Sequence, residues 1–282
     1  MKKKFSEYIL CFSLAAAILS GCGGKDLNVS GNSVMPDTLY NTAGEPDGYL
    51  ANESCYRNGS LTSVTEYDAE GNRINYTFYY GPEGNEAIYT VYEYDEYGNL
   101  SKSTTCNTYG VVSDSIEYVN EYDENGNLVK ATAYINGNIL RWQEHEYDDG
   151  KLIKSTYYFS DNSIYSSYEC EYDGAGRLIK EIYHNIAFGT EETNEYDDKG
   201  RLVKNTIYFT DGSISGWSEY EYNEDGNLDN VIFYNEGGYI SGWDKYEYDE
   251  NGYLIKKSSY SPTGTLMEWY EYEYEYMQES SE

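Results

Sequence analysis

A glutamate–tyrosine pair recurs nine times along this chain at nearly constant spacing, with steps of 24 to 28 residues between successive pairs. The tyrosines of the nine pairs are Tyr67, Tyr94, Tyr122, Tyr147, Tyr172, Tyr196, Tyr222, Tyr248 and Tyr274. A period in this range is typical of an array of similar supersecondary units, each packed against its neighbours. The recurrence therefore predicts a repeat protein and explains most residues as architecture.

One repeat, residues 195–222, has the pattern of a β-hairpin. It contains two turn signals, Asp197-Asp198-Lys199-Gly200 and Thr210-Asp211-Gly212-Ser213. In such turns Asp opens the turn through side-chain hydrogen bonds and Gly takes the left-handed position. The runs between them are rich in Tyr, Ile, Val and Thr, which favour strands, and no helical period follows residue 22. We therefore predict an all-β protein, a repetitive antiparallel β-hairpin meander of about 16 to 17 strands forming a twisted or spiralling sheet.

Alternation along the strands predicts which side chains share a face of the sheet. The repeat tyrosines are assigned to the packed face, and the glutamates before them to the opposite face. In the repeat above, the packed face also receives Leu202, Lys204, Thr206 and Tyr208. Loop register decides whether each glutamate lies opposite Lys or opposite Val or Ile, and parity favours Val or Ile.

The turn sequences resemble a known repeat family. Tyr172-Asp173-Gly174-Ala175-Gly176-Arg177-Leu178 and Tyr196-Asp197-Asp198-Lys199-Gly200-Arg201-Leu202 are similar to the YD repeat of the RHS family. The resemblance covers residues 54–276 and implies a β-repeat architecture of the kind that forms spiralling sheets and shells. It implies no catalytic residue, and with only about eight repeats the chain departs from the large family members. A weaker similarity, through Gly216-Trp217 and Gly242-Trp243, is to cell-wall-binding repeats rich in Gly and aromatic residues.

Residues 1–22 have the features of a secretory signal. Lys2, Lys3 and Lys4 precede an apolar stretch from Tyr8 to Leu19 that is too short to span a bilayer as a helix. Leu19-Ser20-Gly21-Cys22 then resembles the lipobox of bacterial lipoproteins. The resemblance implies that acyl chains on Cys22 anchor the protein to the cell membrane or outer surface, facing the extracytoplasmic side. The alternative is an ordinary secretory signal that contains a cysteine.

The remaining chain divides by composition. Residues 23–53, rich in Gly, Ser, Asn, Asp and Pro, are predicted to form a flexible tether. Residues 54–276 form the hairpin repeat domain, and residues 277–282 a C-terminal tail. Cys55, Cys106 and Cys170 lie in different repeats at different phases, so we expect small strand residues and no disulfide framework.

The charge of the chain restricts its partners. The formal net charge is −31, which repels nucleic acid and anionic lipid headgroups. The partners we expect are therefore the membrane, through the anchor at Cys22, and an extracellular glycan or surface protein.

The sequence contains no motif that predicts catalysis. His145 and His184, the two histidines, each replace a member of a repeating row, and no nucleophile–histidine spacing, phosphate loop or zinc motif is present. Asp123-Glu124-Asn125-Gly126 is a hairpin turn rather than a calcium loop, since its Gly comes at the fourth position and not the sixth. We therefore expect no catalytic residue, metal or cofactor, and a protein that is not an enzyme.

Tryptophan placement is the strongest binding signal. Trp142, Trp217, Trp243 and Trp269 each lie five residues before a repeat tyrosine, and the last three occupy consecutive repeats. We predict a row on the glutamate-bearing face, where flat aromatic side chains beside carboxylates could stack on sugar rings. The alternative is cross-strand aromatic packing.

The leading functional hypothesis is a non-catalytic surface protein that binds or scaffolds a glycan or protein. The alternatives are a purely structural envelope spacer and a cell-wall or carbohydrate-binding aromatic module.

Overall fold

The computed structural model describes residues 49–80 and 86–277, which form antiparallel β-strands joined by short turns. The strands are β1 (Tyr49–Arg57), β2 (Ser60–Tyr67), β3 (Arg73–Tyr80), β4 (Glu86–Tyr94), β5 (Leu100–Asn107), β6 (Val112–Tyr122), β7 (Leu128–Ile135), β8 (Asn138–Asp148), β9 (Lys151–Phe159), β10 (Ile164–Tyr172), β11 (Leu178–Asn185), β12 (Thr190–Tyr196), β13 (Leu202–Tyr208), β14 (Ile214–Tyr222), β15 (Leu228–Asn235), β16 (Ile240–Tyr248), β17 (Leu254–Tyr260) and β18 (Leu266–Met277). The predicted all-β antiparallel hairpin meander is confirmed, with 18 strands where about 16 to 17 were predicted. The predicted signal, Cys22 and residues 278–282 lie outside the described residues.

The turns have the predicted hairpin geometry. In the β6–β7 turn, the Gly126 N–H donates to the Asp123 carbonyl (3.1 Å) and the Asp123 N–H donates to the Asn127 carbonyl (2.9 Å). The Asp123 carboxylate accepts the backbone N–H groups of Asn125 and Asn127. Gly126 has a φ of 83°, a left-handed conformation in which Gly is favoured. Asp123 and Gly126 are therefore the residues that reverse the chain in this turn.

The sheet closes on itself. Each strand pairs with the strands before and after it in sequence, and β1 pairs with both β2 and β18. The meander is thus an 18-stranded closed barrel and not an open twisted or spiralling sheet. Residues 49–53, which composition assigned to the tether, belong to the closing strand β1, where the Asn52 amide donates to Glu275 (2.8 Å) and the Tyr56 hydroxyl donates to Glu273 (3.0 Å). Closure leaves neither end strand with an unpaired edge.

Bulges beside the turns shift the side-chain parity. The register slips between Glu195 and Tyr196, so that Glu195 lies opposite Lys204, and Lys204 in turn lies opposite Glu219. The preference for Val or Ile opposite the glutamates was therefore wrong. The assignment of Lys204, Thr206 and Tyr208 to the packed face was also wrong, because a bulge inserts one residue and inverts the alternation beyond it.

Successive hairpins are displaced along the strand direction. Glu195 on β12 and Glu219 on β14 both lie opposite Lys204 of β13. Glu195 lies one residue before its repeat tyrosine, whereas Glu219 lies three residues before Tyr222. A displacement of two residues per hairpin corresponds to strands tilted by about 35° from the barrel axis, as closure of a sheet requires. The stagger therefore explains how a simple meander closes.

The hydrophobic core lies in the barrel interior, and the rows of Glu and Lys lie on the outer face. Leu228 is fully buried and packs with Val231, Tyr246 and Leu254. The repeat tyrosines also face inward, and several use the hydroxyl to satisfy a backbone carbonyl beside a bulge. These bonds run from Tyr147 to Leu128 (2.9 Å), Tyr172 to Leu152 (2.8 Å), Tyr222 to Leu202 (2.8 Å) and Tyr274 to Leu254 (2.7 Å). The recurring tyrosine is therefore an element of the architecture.

Candidate functional site

Three of the four predicted tryptophans lie in one row on the outer face. Trp217, Trp243 and Trp269 lie on alternate strands β14, β16 and β18, with Tyr234 and Tyr260 on the strands between them. We call these five residues the outer aromatic row. The Trp217 indole N–H donates to Glu219 Oε1 (3.1 Å), so the row shares the glutamate-bearing face, as predicted. Trp142 lies apart from this row, on β8.

Most of these indoles are stacked between neighbouring strands. The Trp142 ring lies 3.7 Å from the Tyr158 ring, and Trp217 lies 4.9 Å from Tyr234. On the other side, Lys130 Nζ lies 4.7 Å from the Trp142 ring and Lys204 Nζ lies 5.9 Å from the Trp217 ring. Because each of these two indoles has a tyrosine on one neighbouring strand and a lysine on the other, both ring faces are in contact. They contribute to cross-strand packing.

Trp269 differs from the other tryptophans because it lies at the seam where the barrel closes. Its register partner on β17 is Ser258. On the other side it meets the β1–β2 turn, where the Asn58 side chain accepts its backbone N–H (3.0 Å). Among the described residues, no aromatic ring stacks on Trp269. Glu271, two residues along β18, shares the face of this indole, which therefore offers a flat ring face to a ligand.

The interior contains a buried polar network. The Glu181 carboxylate accepts hydrogen bonds from the hydroxyls of Tyr168 and Tyr196 and from the Asn194 amide (3.2 Å). Burial and the Glu181 charge hold the pKa of both tyrosines well above the usual range. Glu192 accepts the Asn205 amide (2.6 Å), and burial raises the pKa of this carboxyl. The tyrosines therefore stay protonated hydrogen-bond donors at neutral pH, and the network ties β10 to β13 together.

His145 lies on the inner face, 6% exposed, with Nδ1 2.8 Å from the Ser155 hydroxyl. Burial lowers its pKa to about 4. An unfolded histidine binds a proton near pH 6.5, so its contribution to stability is complete above that pH and is lost as the pH falls towards 4. Between pH 7.5 and 4.5 we expect His145 to lower the free energy of unfolding by about 2 to 3 kcal/mol.

Urea unfolding of the parent and of His145→Tyr at the two pH values measures this loss. Tyr is the matched replacement because Tyr92 holds the same repeat position opposite Ser103. The variant should lose less stability than the parent on acidification. Equal losses in the two proteins would show that His145 does not titrate as described.

A feature that the sequence did not reveal is an open groove on the outer face, which we call the β11–β13 groove. Its volume is about 890 Å³, and its lining includes Lys180, His184, Ile186, Glu191, Tyr208 and Phe209. His184 Nδ1 lies 3.2 Å from Glu191 Oε2, and Lys180 Nζ lies 3.7 Å from Glu171 Oε1. Ile186 and Phe209 are 53% and 44% exposed and form apolar walls. The groove can therefore receive a ligand that is partly charged and partly apolar.

Two sequence signals could have located this groove. The step from Tyr172 to Tyr196 is the shortest in the chain, at 24 residues, and Glu191 occupies the position five residues before the repeat tyrosine that Trp217 and Trp243 hold elsewhere. A shorter side chain at that position leaves space on the outer face. Both departures are visible only by comparison with the other repeats.

Three cysteines lie in strands β1, β5 and β10. Cys55, Cys106 and Cys170 are free thiols in the part of the chain that the structure describes. Burial raises the pKa of the Cys170 thiol to about 11, so it remains a neutral thiol at physiological pH. Within residues 49–80 and 86–277, no three His, Cys, Asp or Glu side chains converge as a metal site would require.

No helix among the described residues has the length and apolar character needed to cross a membrane.

Comparison with solved structures finds distant likenesses. A porin-like protein from Bacteroides uniformis is 14% identical over 82% of this chain and 99% of its own, with a TM-score of 0.43. A porin-like protein from Bacteroides vulgatus is 13% identical over 81% of this chain and 99% of its own, with a TM-score of 0.31. The TcdB2-TccC3-Cdc42 structure is 13% identical over 71% of this chain and 15% of its own, with a TM-score of 0.21. With such TM-scores, no inference rests on these likenesses.

Comparison with families is more informative. No curated protein matches the chain. Residues 56–105 match a family described as "Protein of unknown function (DUF2963)". Residues 102–244, just over half of the chain, match the family described as "Uncharacterised protein", and the chain belongs to that family.

Proposed function

We propose that this protein is a lipid-anchored, non-catalytic bacterial surface protein whose YD/RHS-like barrel binds an extracellular glycan. The observation that carries the proposal is the outer aromatic row. It places the indole of Trp269 on the outer face with Glu271, two residues along the same strand, and no ring is stacked on it among the described residues. A sugar ring has an apolar C–H face and polar hydroxyl groups. An aromatic ring with polar side chains near it can contact both. A protein that docks on the same row is the other outcome of the test below.

The character of the outer face supports an anchored barrel that lies in water. Glutamates and lysines alternate along it, as in the ion pairs of Lys154 with Glu169 (3.2 Å) and Lys256 with Glu271 (3.6 Å). A lysine that faces the middle of a bilayer costs about 2 to 4 kcal/mol. Rows of such residues therefore favour an outer face that is in contact with water. In this proposal the membrane attachment comes from acyl chains on Cys22 and the barrel projects from the extracytoplasmic side.

A purely structural spacer is the second candidate, and a specific contact favours it. Trp217 lies between Lys204 and Tyr234 and so serves packing rather than ligand contact. If all four tryptophans served packing alone, the barrel would be a rigid spacer without a specific ligand. Comparing Trp269 with the stacked tryptophans separates the two functions.

The deciding experiment is a glycan array probed with the mature protein and with single tryptophan variants. Trp269→Ala should reduce binding at least about tenfold, as expected for a central aromatic contact, while leaving the melting temperature nearly unchanged. Trp142→Ala is the matched control on a distant strand and should lower the melting temperature without weakening binding. If the parent binds no glycan and instead captures a protein through Trp269, the ligand of the outer aromatic row is a protein and not a glycan. If Trp269→Ala binds like the parent, the row is structural.

A further inference from the structure

We propose that the β11–β13 groove binds an arginine side chain of a protein partner, with the guanidinium stacked on Tyr208 and paired with Glu191. This site is separate from the outer aromatic row, which begins at β14. The inference therefore goes beyond the proposed glycan binding and does not depend on it.

The first observation is an unfilled aromatic position. In three other hairpins the tryptophan five residues before the repeat tyrosine stacks on a tyrosine of the next strand. These pairs are Trp142 on Tyr158 at 3.7 Å, Trp217 on Tyr234 at 4.9 Å and Trp243 on Tyr260 at 5.3 Å. In β12 this residue is Glu191, and its register partner on the next strand is Tyr208. Among the described residues no ring stacks on Tyr208. The groove therefore occupies the space that an indole fills elsewhere.

The second observation is the charge of the lining. Glu171, Glu191 and Glu195 line the groove with one lysine, Lys180, and with His184. The Glu191 side chain is 43% exposed even with His184 Nδ1 at 3.2 Å from Oε2, so its carboxylate remains accessible from solvent. A chain with a net charge of −31 also attracts cations from a distance. The groove therefore favours a cationic ligand.

The third observation selects the kind of cation. A guanidinium is flat, stacks on aromatic rings and pairs with a carboxylate through two parallel N–H donors, whereas an ammonium is a compact point charge. The barrel already contains this pairing. Arg201 lies 4.4 Å from the Tyr222 ring centroid while its Nη2 lies 2.7 Å from Asp197 Oδ2. In the groove, the apolar stem of an arginine would lie against the exposed side chains of Ile186 and Phe209.

Fluorescence anisotropy with two labelled peptides, acetyl-Gly-Gly-Arg-Gly-Gly-amide and its Lys counterpart, tests the proposal on the mature protein at low salt. We expect saturable binding of the Arg peptide and about tenfold weaker binding of the Lys peptide, since the Lys ammonium cannot pair in two-donor fashion. Glu191→Trp restores the repeat residue and fills the groove, and should abolish binding. Tyr208→Ala should weaken binding about tenfold by removing the stacking surface.

Glu117→Trp is the matched control. Glu117 holds the same position in its own hairpin and faces Tyr134, but lies on β6, away from the groove. This variant should bind the Arg peptide like the parent, and melting curves establish that each variant folds. The proposal is overturned if the parent shows no saturable binding, if the Lys peptide binds as tightly as the Arg peptide, or if folded Glu191→Trp still binds. Because neither peptide carries a sugar, these outcomes are independent of the glycan array.

Discussion

A proline at Ser54 is expected to open or unfold the barrel. Ser54 lies in the middle of β1, between Glu273 of β18 and Val64 of β2. Proline has no N–H to donate to either neighbour, and its ring clashes with a paired backbone. We expect a loss of about 3 kcal/mol or more in the free energy of unfolding. If β1 detaches, the freed edges of β2 and β18 become templates for association between molecules.

Urea unfolding and size-exclusion chromatography of Ser54→Pro measure these two effects. The matched control is Glu124→Pro in the β6–β7 turn, at the position that Pro262 holds naturally in the β17–β18 turn. Pro262 lies between Ser261 and Thr263 in a turn with the same backbone bond, from the Gly264 N–H to the Ser261 carbonyl (2.9 Å). Glu124→Pro should keep the parent's elution volume and nearly parental stability. A Ser54→Pro variant with parental stability and elution volume would show that closure by β1 contributes little.

Replacing Lys257 by Met is expected to cause the second large loss of stability. Lys257 Nζ lies 2.8 Å from Asp244 Oδ2, and the two side chains are only 9% and 4% exposed. Removing the cation leaves a buried carboxylate without its ion-pair partner, which costs about 3 to 5 kcal/mol. Urea unfolding at pH 7 measures the change. The neighbouring outer-face variant Lys256→Met is the control, because its pair with Glu271 is exposed and should contribute less than about 1 kcal/mol.

The double variant Asp244→Leu/Lys257→Met distinguishes the ion pair from simple packing. Removing both charges also removes the desolvation cost of each, so the double variant should regain most of the stability that Lys257→Met loses. If the two single losses instead add in the double variant, the pair is not the source of the effect. Either result assigns the free energy to named groups inside the barrel.

The repeat made the hairpins predictable because each one is specified within a few consecutive residues. Asp123 and Gly126 hold the bonds and the left-handed conformation that reverse the chain, and both are visible in the sequence as a turn motif. The side-chain faces were harder to predict. The bulge beside the β12–β13 turn moves Lys204 to the outer face opposite Glu195, and whether a bulge forms depends on the pairing of two strands rather than on one segment.

The sequence predicted where the tryptophans of the candidate site lie, but it did not predict which indole rings are free of a stacked neighbour and so accessible to a ligand. Trp217 and Trp269 have the same position relative to the repeat tyrosine. Yet Trp217 contacts Tyr234, whereas Trp269 meets the β1–β2 turn at the seam. The β11–β13 groove was missed for a related reason. Nothing in the local sequence distinguishes Glu191 from the other acidic residues. Only the strand register shows that it lies opposite Tyr208, at a position where other hairpins have a tryptophan.

The sequence by itself determined the local units: the turns, most of the strands and the residues that recur in them. These depend on conformational preferences and hydrogen bonds between neighbours in the chain. Only the tertiary structure decided that the meander closes, which side chains face inward, and where the outer face departs from the repeat. Closure joins β1 to β18, more than 200 residues apart in sequence, as in the bond from Asn52 to Glu275. Such a contact depends on the stagger accumulated over every hairpin between them, and no local pattern encodes that sum.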